Sequence, residues 1–252
     1  MSTHTTPERI HKFLASAGIA SRRQIESWIK AGRITVNGKP AKPGDRITSE
    51  DKVRFDGELL HTGAPSDKTR ILAYHKPAGE VCTRSDEKGR PTVFAALPHI
   101  RNGRWINIGR LDINTTGLLL FTNDGALANR LMHPSGGMER EYAVRVFGEV
   151  KREAMKKMLD GVELEDGRAA FDSIHEAGGQ GRNHWYHVVI REGRNREVRR
   201  LWESQGISVS RLIRVRFGPC QLSRELRPGA YQEFDRSEVN AFLDAINVNG
   251  EL

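Results

Sequence analysis

The first sixty residues carry apolar side chains at the spacing of short helices. Two sets recur at intervals of three and four residues, namely Ile10, Phe13, Leu14 and Ala17, and then Ile25, Trp28 and Ile29. Gly18 and Gly32 follow the two sets, and glycine readily adopts the left-handed conformation that ends a helix. Ser21 and Gln24 have the spacing of a helix N-cap. The pattern predicts two short helices.

Alternating apolar residues then predict small hairpins. Two strand-like segments end in turn pairs, residues 34–36 before Asn37-Gly38 and residues 53–55 before Asp56-Gly57. Residues 7–60 are therefore expected to form a small helix–helix–hairpin domain. Residues 61–69 are polar, contain Gly and Pro and lack periodicity, which predicts a linker.

The remainder of the chain contains both segments with the alternating pattern of strands and segments with the spacing of helices. Strand-like segments are residues 71–74, 105–108, 118–121, 142–146, 185–190 and 212–217. Segments with helical spacing are residues 126–132, 151–159, 196–203 and 238–246. Residues 70–247 are therefore predicted to form a larger α+β domain with a mixed or antiparallel central sheet. The Gly-rich segment 177–183 is predicted to be a loop, and the Asp124-Gly125 pair a turn.

The excess of positive charge indicates what kind of partner the protein binds. Lys and Arg number 40 against 32 Asp and Glu, a formal net charge of +8. Eight cations cluster around the first two helices and the first turn, namely Arg9, Lys12, Arg22, Arg23, Lys30, Arg33, Lys39 and Lys42. Only Glu8 and Glu26 are acidic neighbours on these helices. This indicates a face that contacts phosphates, with an ordinary solvated helix surface as the alternative.

Several function classes find no support in the sequence. Cys82 and Cys220 are far apart, and the nine histidines lack a His-x-x-x-His pattern, so we expect neither a disulfide framework nor a metal site. The sequence contains no phosphate-binding loop and no Rossmann fingerprint, so no nucleotide cofactor is expected. The longest apolar run, residues 118–121, is too short to span a bilayer, and residues 1–8 lack the apolar run of a signal peptide, so we expect no export. We expect a cytoplasmic monomer without a membrane partner.

One acidic residue stands where catalytic groups are commonly presented. Asp112 lies in the polar segment 109–117, which leads directly into the apolar strand 118–121. A buried strand holds such a loop rigidly against a substrate. Asp is also common in turns, where its side chain caps the backbone. From the pattern alone, this turn role is favoured.

A resemblance to a known family reverses that preference. Residues 109–125, with a Gly-Arg-Leu-Asp start and a Gly-Leu-Leu-Leu continuation, resemble the signature segment of the RsuA/RluB branch of RNA pseudouridine synthases. Matching segments occur in the same order at residues 75–79, 140–144, 192–200 and 212–215. Residues 20–23 and 34–39 resemble the RNA-binding domain named after ribosomal protein S-four, the S4 domain. The sequence of residues 194–202 is most similar to that of RluB-type enzymes, which modify large-subunit rRNA.

The resemblance implies an activity and a nucleophile. Pseudouridine synthases break the C1′–N1 bond of a uridine, rotate the base and form a C1′–C5 bond, without a cofactor or a redox change. Asp112 takes the position of the nucleophile, and a carboxylate of ordinary pKa ~3.9 is ionised at neutral pH. Attack at C6, attack at C1′ and elimination to a glycal all stay open. The implied partner is ribosomal RNA or a ribosome-assembly intermediate.

The resemblance also assigns roles around Asp112. Tyr142 is expected to stack on the uracil, although by pattern alone it is an ordinary strand residue. Arg199 is expected to pair with Asp112 through two parallel hydrogen bonds, with Arg200 as the nearest alternative. The implied substrate pocket contains Arg110, Leu111, Thr115 and Leu212, of which Leu212 could equally be core. Further phosphate contacts are expected from Arg194, Arg196 and Arg200, with a solvated helix face as the alternative.

Two other functions compete with this interpretation. A non-catalytic rRNA-binding or ribosome-assembly protein would share the basic faces but would need no positioned carboxylate. An RNA methyltransferase would need a Gly-rich cofactor-binding strand and loop, which residues 178–181 do not convincingly supply. Asp112 therefore discriminates between a pseudouridine synthase and a non-catalytic rRNA-binding protein.

Overall fold

The structure is a computed structural model that describes residues 6–60, 68–100, 103–133 and 136–248. Most of the predicted linker, residues 61–67, lies outside the described residues, so the predicted domain boundaries stay predictions. The chain divides into two compact units. One comprises Met1–Arg70 with Pro98–Ile106 and Asn123–Gly125, and the other comprises the rest.

The N-terminal elements follow the predicted order. They are β1 (Glu8–Arg9), α1 (Ile10–Ser16), α2 (Arg22–Lys30), β2 (Ile34–Val36), β3 (Lys39–Pro40), β4 (Arg46–Ile47), β5 (Val53–Phe55) and β6 (Glu58–Leu59). The Ser21 hydroxyl accepts a hydrogen bond from the backbone N–H of Gln24 at 3.1 Å, which confirms the predicted N-cap. Asn37 and Gly38 both have positive φ, as a two-residue hairpin turn requires. The apolar stripes of both helices are buried in one core with β2, β4 and β5.

The following strands and helices are longer. The strands are β7 (Ile71–Lys76), β8 (Ile106–Ile108), β9 (Thr116–Thr122), β10 (Arg140–Phe147), β11 (Val162–Leu164), β12 (Gly167–Ala169), β13 (Ser173–Gln180), β14 (Asn183–Ile190), β15 (Val209–Phe217), β16 (Cys220–Gln221) and β17 (Tyr231–Glu233). The helices are α3 (Gly125–Met132), α4 (Arg152–Asp160), α5 (Glu197–Glu203) and α6 (Arg236–Val248). All predicted strands and helices are present, with ends that differ by at most three residues.

The central sheet is mixed, as predicted. Its strand order is β13-β14-β10-β15-β9-β7-β17, with β16 beside β15 and β8 beside β9. β15 runs parallel to β9, whereas β10 is antiparallel to both of its neighbours. β9 is fully buried from Gly117 onward, because strands on either side and packing on both faces cover it. The fold class is therefore α+β.

Two local predictions are wrong. The Gly-rich segment 177–183 is not a loop, because β13 continues through Gln180 and pairs with β14 across a tight turn. A register shift between Glu176 and Gly179 accommodates the glycines, and a side chain at Gly179 would overlap the backbone of Asn183. The Asp124-Gly125 pair is not a turn, since Gly125 is the first residue of α3. Among the described helices, none combines the length and the apolar composition needed to cross a lipid bilayer.

Candidate active site

The Asp112 loop, defined as residues 109–115, is a backbone turn that leaves its carboxylate free. The N–H of Thr115 donates to the carbonyl of Asp112 at 3.0 Å, and the loop then enters β9. Within the described part of the chain, the Asp112 carboxylate accepts no hydrogen bond, so the alternative of a side-chain turn cap is wrong. Asp112 is half-buried. The carboxylate is available to a substrate.

A buried ammonium group ties the Asp112 loop to the sheet. Lys76, at the end of β7, is fully buried, and its Nζ donates to the carbonyls of Pro77 and Thr115, each at 2.9 Å, and of Ile113 at 3.4 Å. The N–H of Gly79 also donates to the carbonyl of Ile113 at 2.8 Å. Burial lowers the pKa of Lys76, whereas nearby Cys82, Glu80 and Asp112 act in the opposite direction. Lys76 therefore positions the loop and adds positive charge beneath it.

A thiol holds the residue before Asp112. The Sγ of Cys82 lies 3.3 Å from the carbonyl oxygen of Leu111 and 3.4 Å from its N–H nitrogen. Burial raises the pKa of Cys82, so the neutral thiol donates to that carbonyl. Together with Lys76 and Gly79, Cys82 contacts the Asp112 loop from the segment that follows β7.

Arg199 approaches the same loop from α5. Its side chain is 8% exposed, and Nη1 and Nη2 donate to the carbonyls of Val209 at 2.9 Å and Asn114 at 3.4 Å. The predicted bidentate pair with Asp112 is therefore wrong for this structure. The guanidinium donates its hydrogen bonds to backbone carbonyls instead, and it thereby connects the Asp112 loop to the start of β15. Burial lowers the pKa of Arg199, and the charge of Asp112 acts to raise it, so the two groups interact across space.

A single row of residues crosses the sheet beside the Asp112 loop. Lys76 is opposite Gly117, Gly117 is opposite Arg214, and Arg214 is opposite Tyr142. Residues directly opposite each other project to the same side of a sheet. Gly117 has a φ of 103°, and a Cβ there would overlap the backbone of Arg214. Glycine at this position therefore allows the backbones of β9 and β15 to approach each other closely at Arg214.

Arg214 is a buried cation that has no counter-ion among the described residues. It is 1% exposed, Nε donates to the carbonyl of Leu118 at 2.7 Å, and Nη2 has no hydrogen-bond partner in the described part of the chain. Arg214 forms no ion pair with any described residue, and its Cζ lies 5.3 Å from the centre of the Phe217 ring. A Cβ on Gly109, the first residue of the Asp112 loop, would lie 4.0 Å from its Nη1. From the sequence, Arg214 is only one of the arginines of residues 191–216 that are mostly expected to contact phosphates, because one arginine among many gives no signal of burial.

Comparisons with known proteins decide the family. Residues 70–204 match the family described as RNA pseudouridylate synthase, and residues 8–53 match the S4 domain. The chain is 55% identical over 247 residues to the "Ribosomal large subunit pseudouridine synthase B" of Escherichia coli O6:H1, with 97% of this chain and 85% of that protein covered.

The chain belongs to the RNA pseudouridylate synthase family. A relative of the same name from Pseudomonas aeruginosa is 57% identical over 243 residues, which is 96% of this chain but 63% of that protein's length. A crystal structure of a pseudouridylate synthase has a TM-score of 0.64 at 27% identity, covering 92% of this chain and 98% of that one. The predicted family and the predicted fold are confirmed.

The remaining residues that were predicted to line the substrate pocket fall into two groups. Leu111 and Thr115 lie on the Asp112 loop and are buried, whereas Arg110 is exposed. Tyr142 and Leu212 are 9% and 5% exposed, and their cross-strand partners, Arg214 and Val144, place them on the face of the sheet that carries Lys76. The structure therefore brings Leu111, Thr115 and Arg199 to Asp112, and puts Tyr142 and Leu212 on the adjoining strands. The catalytic roles stay predictions.

The three arginines predicted to contact phosphates around α5 already have acidic partners. Arg200 donates to both carboxylate oxygens of Asp166 at 2.8 and 2.9 Å, which lowers the pKa of Asp166 to about 2. Arg194 pairs with Glu192, and Arg196 pairs with Glu203. Asp166 is 34 residues from Arg200, so sequence neighbours did not reveal this pair. Phosphate contact by these arginines stays a prediction, which the ion pairs weaken.

The cations of the S4 domain are all exposed, and most are unpaired. Lys12 pairs with Glu8, and Arg33 forms a forked ion pair with Asp56. The others make no ion pair with any described residue, namely Arg9, Arg22, Arg23, Lys30, Lys39 and Lys42. Across the described ranges, no group of His, Cys, Asp and Glu is arranged to hold a metal ion.

Removing the Lys76 ammonium should loosen the Asp112 loop. We expect Lys76→Met to lower the free energy of unfolding by about 3 kcal/mol, because buried carbonyls lose their donor. The turnover rate should fall, while affinity for RNA changes little. Urea unfolding and single-turnover kinetics at saturating RNA measure the two effects. A variant with wild-type stability and wild-type turnover would show that the ammonium does not position the loop.

Proposed function

We propose that this protein isomerises a specific uridine of large-subunit rRNA to pseudouridine, with Asp112 as the nucleophile. The observation that carries the proposal is the Asp112 carboxylate, which accepts no hydrogen bond from the described residues and lies on a loop held by Lys76, Cys82 and Arg199. The choice of large-subunit rRNA is supported by the names of relatives at 55% and 57% identity. The protein acts as a cytoplasmic monomer, and the isomerisation consumes no cofactor.

The chemistry matches the charges around the loop. Breaking the C1′–N1 bond leaves electron density on the departing uracil, and re-attachment through C5 releases the C5 proton to solvent while N1 gains one. Arg199 and Arg214 supply positive charge from buried positions, where preorganised charge stabilises a developing anion most effectively. Tyr142 stacks on the base, and Leu212 lines the pocket beside it. The nucleophilic step proceeds at C6, at C1′ or through a glycal.

Access to the uridine requires that the base leave its helix. Flipping a nucleotide costs a few kcal/mol and costs least for an unpaired base. We therefore expect the target to lie in a loop or a distorted helix of rRNA, or of a ribosome-assembly intermediate. Modification of a fully paired duplex at the rate of the loop would contradict this expectation.

Release of tritium from C5 tests the proposed activity. Purified protein is incubated with large-subunit and small-subunit rRNA transcripts that carry tritium at C5 of uridine. The proposal predicts near-stoichiometric release from the large-subunit transcript alone. No release from either transcript, with RNA binding intact, would favour the alternative of a non-catalytic rRNA-binding protein. Release only from the small-subunit transcript would overturn the choice of substrate.

The S4 domain docks the RNA through its unpaired cations. Each neutralised phosphate contributes about 0.7 to 0.9 to the slope of log affinity against log salt. We expect the double variant Arg22→Ala and Arg23→Ala to lower that slope by about 1.5. Arg33→Ala is the matched control, because Asp56 already compensates Arg33. Equal slopes for the wild type and the double variant would mean that this face is only solvated charge.

A further inference from the structure

One face of the central sheet is open at the ends of three strands. On β14, Tyr186 and Val188 are buried, whereas their neighbour Trp185 is half-buried. On β10, Val146 is buried, whereas the next residue, Phe147, is 61% exposed. This alternation shows that one side of the sheet packs against the core and the other meets solvent. Apolar rings on the solvent side need an explanation.

The exposed Phe147 ring and the half-buried Trp185 ring lie beside arginines on this side of the sheet. Arg145 is directly opposite Trp185 on β14 and Arg211 on β15, so the three side chains form one row on one face. Phe147 lies two residues further along β10 on the same face, and Arg182 follows in the turn between β13 and β14. We name these five residues, Arg145, Phe147, Arg182, Trp185 and Arg211, the open face.

Contacts within the open face hold the cations over the rings. The Cζ of Arg145 lies 5.8 Å from the centre of the Trp185 ring, and the Cζ of Arg182 lies 5.6 Å from the centre of the Phe147 ring. The Nε of Arg145 also donates to the Ser210 hydroxyl at 3.0 Å. These distances are those of cation–π contacts, which keep a ring and a positive charge side by side.

The arginines of the open face lack carboxylate partners. Arg145, Arg182 and Arg211 form no ion pair with any residue that the structure describes. Further along the same strands, the Glu141 carboxylate contacts His187 Nδ1 at 2.7 Å and pairs with Arg216 at 2.9 Å. On this face, the described arginines without an acidic partner therefore lie at the end that carries Phe147 and Trp185.

We propose that the open face is a second RNA-binding surface, which takes a single-stranded segment by base stacking and phosphate contact. Aromatic rings beside unpaired arginines are the combination that binds single-stranded nucleic acid, with rings for bases and cations for phosphates. Tyr142 and Arg214 alternate with the open-face residues along β10 and β15 and project to the other side of the sheet. This surface is therefore separate from the Asp112 pocket. The choice of RNA as the occupant rests on the proposed function.

Charge argues against a second copy of the chain as the occupant. In a twofold dimer formed through this face, the arginines of one copy would face the same arginines of the other copy. Like charges at an interface repel each other. A polyanion meets the same charge favourably. An RNA segment that extends from the modified site could bind both surfaces and gain affinity from their linkage.

Binding of a labelled oligonucleotide tests the open face in the full-length protein. The probe is a fluorescein-labelled oligouridylate of about ten nucleotides, which has no stable structure. We expect Phe147→Ala to weaken its binding about fivefold or more, and Phe147→Tyr to retain it, because tyrosine preserves the stacking ring. Tyr231→Ala is the matched control, since Tyr231 is an exposed ring on β17. Replacing Arg145, Arg182 and Arg211 together by Ala should lower the salt slope by about 2.

Each outcome decides the proposal. Ultraviolet crosslinking of the oligouridylate to Phe147 or Trp185, together with the expected affinity changes, supports it. Unchanged affinity in Phe147→Ala overturns it and would direct attention to a protein partner instead. If Phe147→Ala and Phe147→Tyr lose affinity for the oligouridylate equally, base stacking on Phe147 is overturned. If Tyr231→Ala loses as much affinity as Phe147→Ala, the location of the binding surface is overturned.

Experiments can refute the proposed function and the proposed RNA-binding role of the open face independently of each other. Tritium release by Phe147→Ala at saturating rRNA should equal that of the wild type, because Phe147 projects to the side of the sheet opposite Tyr142 and Arg214. Loss of release at saturation would place the effect in the pocket or the fold, and would overturn the separate surface. A wild-type protein that binds through the open face but releases no tritium would refute only the proposed function.

Discussion

Replacement of Asp112 by asparagine is expected to abolish tritium release, with a loss of about 10,000-fold or more in turnover. The amide has nearly the shape of the carboxylate but lacks its negative charge and its nucleophilic oxygen. The Asp112 carboxylate accepts no hydrogen bond from described residues, so the substitution breaks none of the contacts that hold the loop. The loop should therefore keep its conformation.

Affinity and stability separate this chemical effect from a structural one. Asp112→Asn should bind rRNA within about threefold of the wild type, since a half-buried side chain without hydrogen bonds to the described residues contributes little to folding. Filter binding and urea unfolding measure both. Turnover that survives in the variant would remove Asp112 from the reaction, and would revive the interpretation of a binding protein.

Arg214→Met is expected to reduce turnover by about 100- to 1,000-fold, with a change in the free energy of unfolding of no more than about 1 kcal/mol. A buried guanidinium without a counter-ion carries a large desolvation cost. Methionine removes this cost while it gives up one hydrogen bond to the carbonyl of Leu118. The removed desolvation cost and the lost hydrogen bond have opposite effects on the free energy of unfolding. The rate falls because the variant lacks the positive charge that would stabilise the departing uracil.

The matched control for Arg214→Met is Arg200→Met. Arg200 belongs to the same domain, but its guanidinium is compensated by Asp166 outside the pocket. We expect Arg200→Met to keep turnover at saturating RNA within about threefold of the wild type. Arg214→Lys should recover part of the activity, because it restores the charge without the fork of donors. A loss of stability as large as the loss of turnover in Arg214→Met would reduce Arg214 to a structural role.

Local patterns predicted the elements well because their causes are local. The stripe of Ile10, Phe13 and Leu14, the Ser21 cap and the Asn37-Gly38 turn all act within a few residues. The glycines of residues 177–181 misled the prediction for the same reason. Their permissive backbone is used for a register shift within a hairpin, and pairing with β14 decides this from outside the segment.

The candidate site depended on contacts that no local pattern contains. Asp112 was identified through resemblance, whereas Lys76, Cys82 and Arg214 reach its loop from other strands and segments. The pairing of Arg199 with backbone carbonyls also could not be predicted, because it depends on where β15 begins. The resemblance thus supplied the proposed nucleophile, and the fold supplied the groups that contact its loop.

Pseudouridine mapping in cells that lack this protein tests the central claim most directly. Carbodiimide labelling and primer extension locate pseudouridines in rRNA at single-nucleotide resolution. The account predicts that a specific large-subunit position loses its pseudouridine, and that wild-type protein restores it whereas Asp112→Asn does not. An unchanged rRNA map, or restoration by Asp112→Asn, would contradict the account.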